Sequence, residues 1–331
     1  MAHQPLIWVL ADDRAGNVAQ ALGVAEALHR PFVTKDVRYT PLARLPNIVT
    51  GARLLGLTPE TRMGLTPPWP DVVISAGRRT APVARWIKRQ RTPAPVLVHL
   101  MNPGRAGAAE FDLIATPRHD CVIPSGDAAN VMRITGAPHR LTATRLSSAA
   151  DVWAARLAGL PRPYITLIVG GATHSRPFPT ALAADLGRRV HRMAQEVGGT
   201  VLLASSRRTG RDAEQALLAA IPEPRRAFLW SEGGDNPDFG FLALADAIVV
   251  TGDSVSMCSE ACATPAPVHI FAPEGMVAAK HARLHQELYG LGLARPFNGR
   301  FEDGTHPALN AATDVARAVD DLIHHRLAAA S

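Results

Sequence analysis

The chain reads as α/β, with two doubly wound domains in succession. Three observations carry that reading. Short, continuously apolar runs such as residues 5–10 (PLIWVL) and 164–169 (YITLIV) have the pattern of strands buried on both faces. Longer stretches with apolar residues at helical spacing separate them, which is the strand–helix–strand rhythm of a parallel sheet. The rhythm halts at residues 159–163 (GLPRP) and restarts at Tyr164, so residues 1–160 and 161–331 are expected to form two domains joined by a linker there.

In the first half the expected strands are 5–10, 32–37, 71–75 (DVVIS), 96–100 (VLVHL), 111–115 (FDLIA) and 131–135. Helical spacing covers 18–30 and 81–91. Residues 41–70, dense in proline and glycine, carry no clear period, and a short helix is expected around 49–55. A helix over 147–157 leads to the linker. In the second half, strands at 164–169, 200–204, 226–230, 247–251 (AIVVT) and 268–271 alternate with helices at 181–197, 213–221, 239–245, 254–263 and 279–289. Gly198-Gly199 stops the first of these helices. Residues 311–329 form a long terminal helix, expected to pack back across the domain boundary.

Composition narrows the function classes. The 331 residues are 47% apolar, 19% charged and 5% aromatic, which is globular and excludes global disorder. No apolar run reaches the ~18 residues of a membrane span. The apolar stretch 5–11 runs into Asp12 and Asp13 with no basic start and no small-residue cleavage site, unlike a signal peptide. Three cysteines, Cys121, Cys258 and Cys262, make no disulfide framework. A reduced, cytoplasmic protein is expected. Cys258 and Cys262 lie one turn apart on one expected helix with no further ligand in view, so they read as buried small hydrophobes, and no metal or cofactor is expected.

The net charge is +6. The basic residues come in scattered pairs such as Arg78-Arg79, Arg188-Arg189, Arg207-Arg208 and Arg225-Arg226 rather than in a tail. That spacing suits a focused phosphate site or plain surface charge. With so few aromatics there are no stacking platforms, and nucleic acid is not expected as a partner. No P-loop, HExxH or GxSxG pattern is present.

In doubly wound sheets ligands bind outside the carboxyl ends of the strands, and with two such domains the natural site is the cleft between them. Residues 251–261 (TGDSVSMCSEA) follow a buried strand and open a helix. First-turn amides there lack internal partners and favour an anion, and Ser254 and Ser256 add small hydroxyl donors. Glu260, about one turn further, could accept from ribose hydroxyls; an ordinary Ser/Asp cap fits the same residues. Gly170 and Gly171 end the strand 164–169 and allow close approach of a phosphate, or make a plain tight turn. Arg207 and Arg208 follow the next strand and could clamp diphosphate oxygens, or stand in a solvated loop. In the first half, Asp12 and Asp13 follow the first strand, where Asp13 could serve as a general base or cap a helix. His119 beside Asp120 could be oriented and made more basic, or lie in a surface turn.

The chain resembles the mitochondrial-fission ELM family. The resemblance spans nearly the whole length: Gly16-Asn17, Gln20, residues 22–28 (LGVAEAL), 71–80 (DVVISAGRRT), 111–120 (FDLIATPRHD), 168–171 (IVGG), 206–209 (SRRT), and above all 251–261. It implies a GT-B glycosyltransferase-like fold, two Rossmann-like domains facing a cleft, with a nucleotide-diphosphate sugar held by the C-terminal domain. Carried over, Glu260 contacts the ribose, Ser254, Ser256 and Met257 lie along the diphosphate, and Gly170 and Gly171 face the donor. The first loop departs from that pattern: it is poorer in glycine and has Asn17 where a histidine base would be expected.

The expectation is a glycosyltransferase using a nucleotide-diphosphate sugar and an unidentified acceptor, with arginines and a helix start stabilising the leaving diphosphate without metal. Asp13, or His119 with Asp120, would take the acceptor proton. Two alternatives stand beside it. One is a non-catalytic adaptor that recruits a protein partner, as the link of plant relatives to a dynamin-like GTPase implies. The other is an epimerase or hydrolase of the same donor. A basic face on the first domain would suit peripheral contact with an anionic membrane.

Overall fold

The computed structural model describes residues 4–120 and 128–328. Its chain divides into two compact units, residues 1–140 with 310–331, and residues 141–309.

The first unit runs β1 (Ile7–Ala11), α1 (Ala15–Ala27), β2 (Phe32–Asp36), α2 (Asn47–Thr50), α3 (Pro59–Gly64), β3 (Val72–Ala76), α4 (Ala81–Lys88), β4 (Val96–Leu100), β5 (Leu113–Pro117) and β6 (Val131–Ile134). The six strands form one parallel sheet in the order β2-β1-β3-β4-β5-β6. Alternation along each strand splits the core between the two faces. Ile7 and Val9 of β1 pack with α1 on one side, while Trp8 and Leu10 pack with Ile87 of α4 on the other. That two-sided burial is why these strands read as unbroken apolar runs.

The second unit runs α5 (Ala143–Arg156), β7 (Tyr164–Val169), α6 (Thr180–Glu196), β8 (Thr200–Ser205), α7 (Arg211–Ala220), β9 (Arg225–Phe228), α8 (Asp238–Leu244), β10 (Ala247–Thr251), α9 (Val255–Ala261), β11 (Val268–Phe271), α10 (Ala279–Gly290) and β12 (Arg295–Pro296). Its parallel sheet has the order β12-β11-β10-β7-β8-β9. The chain steps outward from β7 to β9, then crosses to the far side of β7 to make β10. The switch point of this sheet is therefore β7/β10. In the first unit the same logic places it at β1/β3.

The last helix, α11 (Ala311–Ala328), belongs to the first unit. Val315, Val319 and Ile323 are buried in the core shared with α1. Arg30 Nη2 meets Asp320 Oδ1 at 2.7 Å, and Arg326 Nη2 meets Asp112 Oδ1 at 2.7 Å. Replacing both Val315 and Val319 by alanine is expected to cost about 3–5 kcal/mol, read as a drop in the urea midpoint, because both side chains are enclosed and the site cannot collapse around the lost methyls.

Several boundaries differ from the sequence reading. The break between units falls before α5, not at the GLPRP segment. Helix α5 starts earlier than expected, at Ala143, because Thr142 Oγ1 caps it by accepting from Arg145 N at 3.2 Å. It packs on α8, where Trp153 meets Phe241 edge-on with centroids 5.3 Å apart. A Cβ at Gly240 would lie 2.1 Å from the Trp153 ring, so glycine there lets the helices close. The short helix sought at 49–55 is α2, a single turn at Asn47–Thr50, and α3 was not anticipated. Strand β12 is two residues at a sheet edge, too short to show a period. Cys121 lies outside the described residues; Cys258 and Cys262 are buried free thiols, their pKa values raised by burial, that of Cys262 to about 12.

Candidate functional site

Three loops leave the carboxyl ends of β7, β8 and β10, and hydrogen bonds tie them together. Gly170 N donates to Thr251 Oγ1 at 2.8 Å, linking β7 to β10. Thr209 Oγ1 donates to the Gly170 carbonyl at 3.0 Å, and Ala172 N donates to the Arg208 carbonyl at 3.0 Å, linking β7 to β8. Arg208 Nη1 then donates to Asp253 Oδ2 at 2.5 Å and to the Ala172 carbonyl at 3.1 Å, closing the ring of loops.

The glycines are required by contact. A Cβ on Gly170 would lie 2.3 Å from Asp253 Oδ2. Gly171, at φ +116°, is in a conformation that favours glycine, and a Cβ there would lie 2.3 Å from the Arg208 carbonyl oxygen. Bare backbone at this switch point brings β7, Arg208 and Asp253 within reach of one another.

Asp253 is the residue that sequence reading missed. Its side chain is fully buried, Oδ2 holds Arg208, and Oδ1 has no hydrogen-bond partner among the described residues. In sequence it looks like part of a helix cap; only the β7–β10 pairing reveals its contact with a residue 45 positions earlier. Arg207, one residue before the anchored Arg208, is exposed and makes no ion pair with a described residue.

The helix start is less open than expected. Ser254 Oγ caps α9 by accepting from Met257 N at 3.4 Å, so one first-turn amide is already engaged. With seven residues, α9 also has a short dipole. Ser254, Ser256, Met257 and Glu260 are all half-buried. Gly252 is pinned from the other side. His285 on α10 lies 2.9 Å, through Nε2, from the Gly252 carbonyl, and a Cβ on Gly252 would meet its ring at 2.4 Å. Burial pushes His285 down to about 4, so the imidazole is neutral near pH 7 and Nε2–H is the donor.

Glu260 sits near the end of α9. Burial, reinforced by the charge of Asp238, raises its carboxyl to about 8. Asp238 is itself raised by burial. A carboxyl in that range loses its proton to solvent readily when a ligand donates hydrogen bonds to the ionised form.

The first-unit candidates fall at the same pole of their own sheet but not together. Asp13 is exposed and ion-paired to Arg79. Its neighbour Asp12 is almost fully buried: Oδ2 accepts from Asn17 Nδ2 at 2.9 Å and lies 3.6 Å from Arg79. Asn17 packs over Gly77, whose φ is +78°, and a Cβ there would lie 2.5 Å from the amide nitrogen. Arg79 in turn lies 4.4 Å over the Tyr39 ring, whose buried hydroxyl has its pKa raised by burial. His119, buried, and Asp120, half-buried, follow β5. Strands β3 and β4 separate β5 from β1, about 14 Å at ordinary strand spacing. Asp13 and the His119-Asp120 pair are therefore alternatives rather than one constellation. The large open groove of the second unit, about 510 Å³ and lined by Arg188, His191 and Ala216, lies along α6 and α7 rather than at the strand ends.

Residues 15–323 match the family described as Mitochondrial fission ELM1. The Arabidopsis thaliana mitochondrial fission protein ELM1 is 29% identical over 275 residues, covering 75% of this chain; the chain spans only 62% of that relative's length. Among solved structures, the Methanocaldococcus jannaschii UDP-GlcNAc 2-epimerase in complex with UDP-GlcNAc and UDP superposes with a TM-score of 0.54 at 12% identity, over 96% of this chain and 99% of that one. The kitacinnamycin glycotransferase does so with a TM-score of 0.51 at 15% identity, over 99% and 94%. At such identities these likenesses concern the fold, which is that of GT-B glycosyltransferases and epimerases. No described helix is long and apolar enough to cross a membrane. The chain belongs to the mitochondrial fission ELM1 family.

Proposed function

We propose that the second unit binds a nucleotide-diphosphate sugar at the β7/β10 switch point, and that the protein is a GT-B-type glycosyltransferase acting on an acceptor yet to be identified. One observation carries this reading: Arg208, anchored by buried Asp253, stands beside side-chain-free backbone at Gly170 and Gly171. A guanidinium fixed at the strand ends is what a diphosphate needs, both for binding and as negative charge grows on it when the sugar leaves. Exposed Arg207 supplies a second cation, and Ser254 and Ser256 offer hydroxyl donors along the same loop, beside Met257. Glu260 takes the ribose hydroxyls. In the first unit, Asp13 or His119 with Asp120 takes the acceptor proton.

A second reading is favoured by one detail. Asp12 and Asp13 are both engaged, with Asn17 and Arg79, which leaves neither carboxylate of the first loop poised as a free base. An adaptor that retains the nucleotide site and recruits a protein partner, without sugar transfer, fits that arrangement.

Calorimetry with UDP-, GDP-, ADP- and CMP-linked sugars tests the site. The solved neighbour holding UDP-GlcNAc makes UDP sugars the first choice. At least one donor should bind, and Arg208→Gln should weaken it about tenfold or more. Absence of binding by every donor would sink the proposal. Binding without transfer to any acceptor, together with a stable protein partner, would favour the adaptor. Free sugar or an altered donor without acceptor would favour hydrolysis or epimerisation.

A further inference from the structure

Between β2 and β3 the first unit makes an excursion that the candidate site does not use. An antiparallel bridge between Tyr39 and Leu57 closes it at its base, and Thr40 N donates to the Gly56 carbonyl at 2.9 Å. Gly56 packs against Ala43, where a Cβ would come within 2.8 Å of the backbone. The excursion is held to the sheet. Arg78 Nη1 donates to the Leu45 carbonyl at 2.8 Å, and Asn47 Nδ2 donates to the carbonyls of Arg78 and Pro103 at 2.9 and 2.8 Å. It is an ordered element, not a loose loop.

Its outer side is unusual. Of the nine large apolar side chains that stand exposed among the described residues, five are Leu42, Ile48, Val49, Leu55 and Met63. Ile48 is 79% exposed and Met63 71%. Asn47 and Thr50, the polar ends of α2, are buried while the Ile48-Val49 pair between them faces out. That inverts the usual arrangement of a surface turn. Scattered single exposures need no explanation, but a local concentration does.

The charges around it have one sign. From Val37 to Leu65 the chain carries Arg38, Arg44, Arg53 and Arg62, all exposed, against the single carboxylate of Glu60. Among the described residues, Arg62 reaches only the Leu55 carbonyl, and neither Arg44 nor Arg53 forms an ion pair. Aliphatic side chains interspersed with uncompensated arginines fit an anionic lipid bilayer: the aliphatic groups enter the acyl boundary and the guanidiniums take headgroup phosphates. A second copy of the chain fits poorly, since a self-docked patch would oppose arginine with arginine.

We infer that residues 38–65 form a docking surface for anionic membranes, with Ile48 and Val49 as the inserting pair and Arg44, Arg53 and Arg62 as the headgroup contacts. This goes beyond the nucleotide-sugar reading and does not depend on it. Because Arg78 and Asn47 bolt the excursion to the turn after β3, a bilayer met there lies beside the first unit's switch point.

Flotation of the full chain with vesicles tests it. Binding is expected to phosphatidylcholine vesicles containing about 30% phosphatidylglycerol, not to phosphatidylcholine alone, and roughly 0.5 M salt should release it. Arg44→Gln with Arg53→Gln should lower the partition coefficient about 25-fold, near fivefold per charge. Ile48→Ser with Val49→Ser should lower it by about tenfold or more. All four positions are exposed, so the thermal midpoint should not move. Leu291→Ser, exposed on the second unit, should leave binding unchanged. Equal affinity for neutral and anionic vesicles, or full binding by either double variant, overturns the inference. So does a dimer or a captured protein partner that is lost in Ile48→Ser/Val49→Ser while vesicles do not bind at all.

Discussion

A Gly170→Ala variant loses about 3 kcal/mol of stability, and its donor binding falls with it. The added methyl would lie 2.3 and 2.7 Å from the two carboxylate oxygens of Asp253. That carboxylate cannot step aside, because its side chain is fully buried and Oδ2 is bonded to Arg208. The backbone at Gly170 is not in the left-handed region, so the whole cost comes from contact and none from φ. This makes the variant diagnostic. Asp253→Ala destabilises on its own by cutting Arg208 loose, but it also removes the atoms the methyl strikes. Adding Gly170→Ala to Asp253→Ala should then cost less than about 1 kcal/mol, a coupling of roughly 2 kcal/mol in a double-mutant cycle. Urea denaturation measures it. Additive losses would mean that Asp253 does not fill the space beside Gly170. Calorimetry on the same variants reports donor affinity: Arg208→Gln should lose it, and should also lower stability, because the fully buried Asp253 carboxylate is left without its cation.

Legibility in the sequence followed the range of the interactions involved. Strands such as β7 and β10 were plain because burial on both faces leaves a local signature, an unbroken apolar run. The glycine pair after β7 and the serine turn after β10 were also visible, because strand ends in such sheets are where ligands bind. Asp253 was not, since its partner Arg208 lies on another strand end and nothing in TGDS distinguishes an anchor from a cap. Nor was the engagement of Asn17 with Asp12, or of Arg79 with Asp13 and Tyr39: each joins loops that only the sheet order brings together. The GLPRP segment looked like a boundary because proline and glycine interrupt any period. The true division depends on α5 choosing α8 as its neighbour, a matter of Trp153 meeting Gly240 and Phe241. Helix α2 was expected but placed too late in the chain, for a related reason. Its exposed Ile48-Val49 and buried Asn47 run against the polarity that marks a surface turn, and that inversion is what the proposed membrane contact would explain.

Glu260→Gln should remove a pH dependence from both stability and binding. The wild-type carboxyl is raised from an ordinary 4.5 to about 8, first by burial and then by the charge of Asp238. Between those two values the folded chain holds a proton that the unfolded chain has released. Folded-state stability therefore falls as pH rises from about 4.5 to about 8, the opposite of a salt-bridged carboxylate. Glutamine has no proton to lose, so near pH 9 the variant should be more stable than wild type by about 1–3 kcal/mol, after allowance for the partial exposure of the site. At pH 4 the two should differ little. Binding should move the other way. A carboxylate that accepts from two ribose hydroxyls must be ionised, so the bound donor draws the proton off. Affinity for a UDP sugar, whose diphosphate has no group titrating near neutrality, should rise up to about tenfold between pH 7 and pH 9, with proton release at pH 7 detectable as a buffer-dependent heat. In Glu260→Gln the affinity should be weaker and flat with pH. A wild-type affinity that falls across this interval, or a slope that survives the substitution, would place the ribose away from Glu260 while leaving the Arg208 anchor intact.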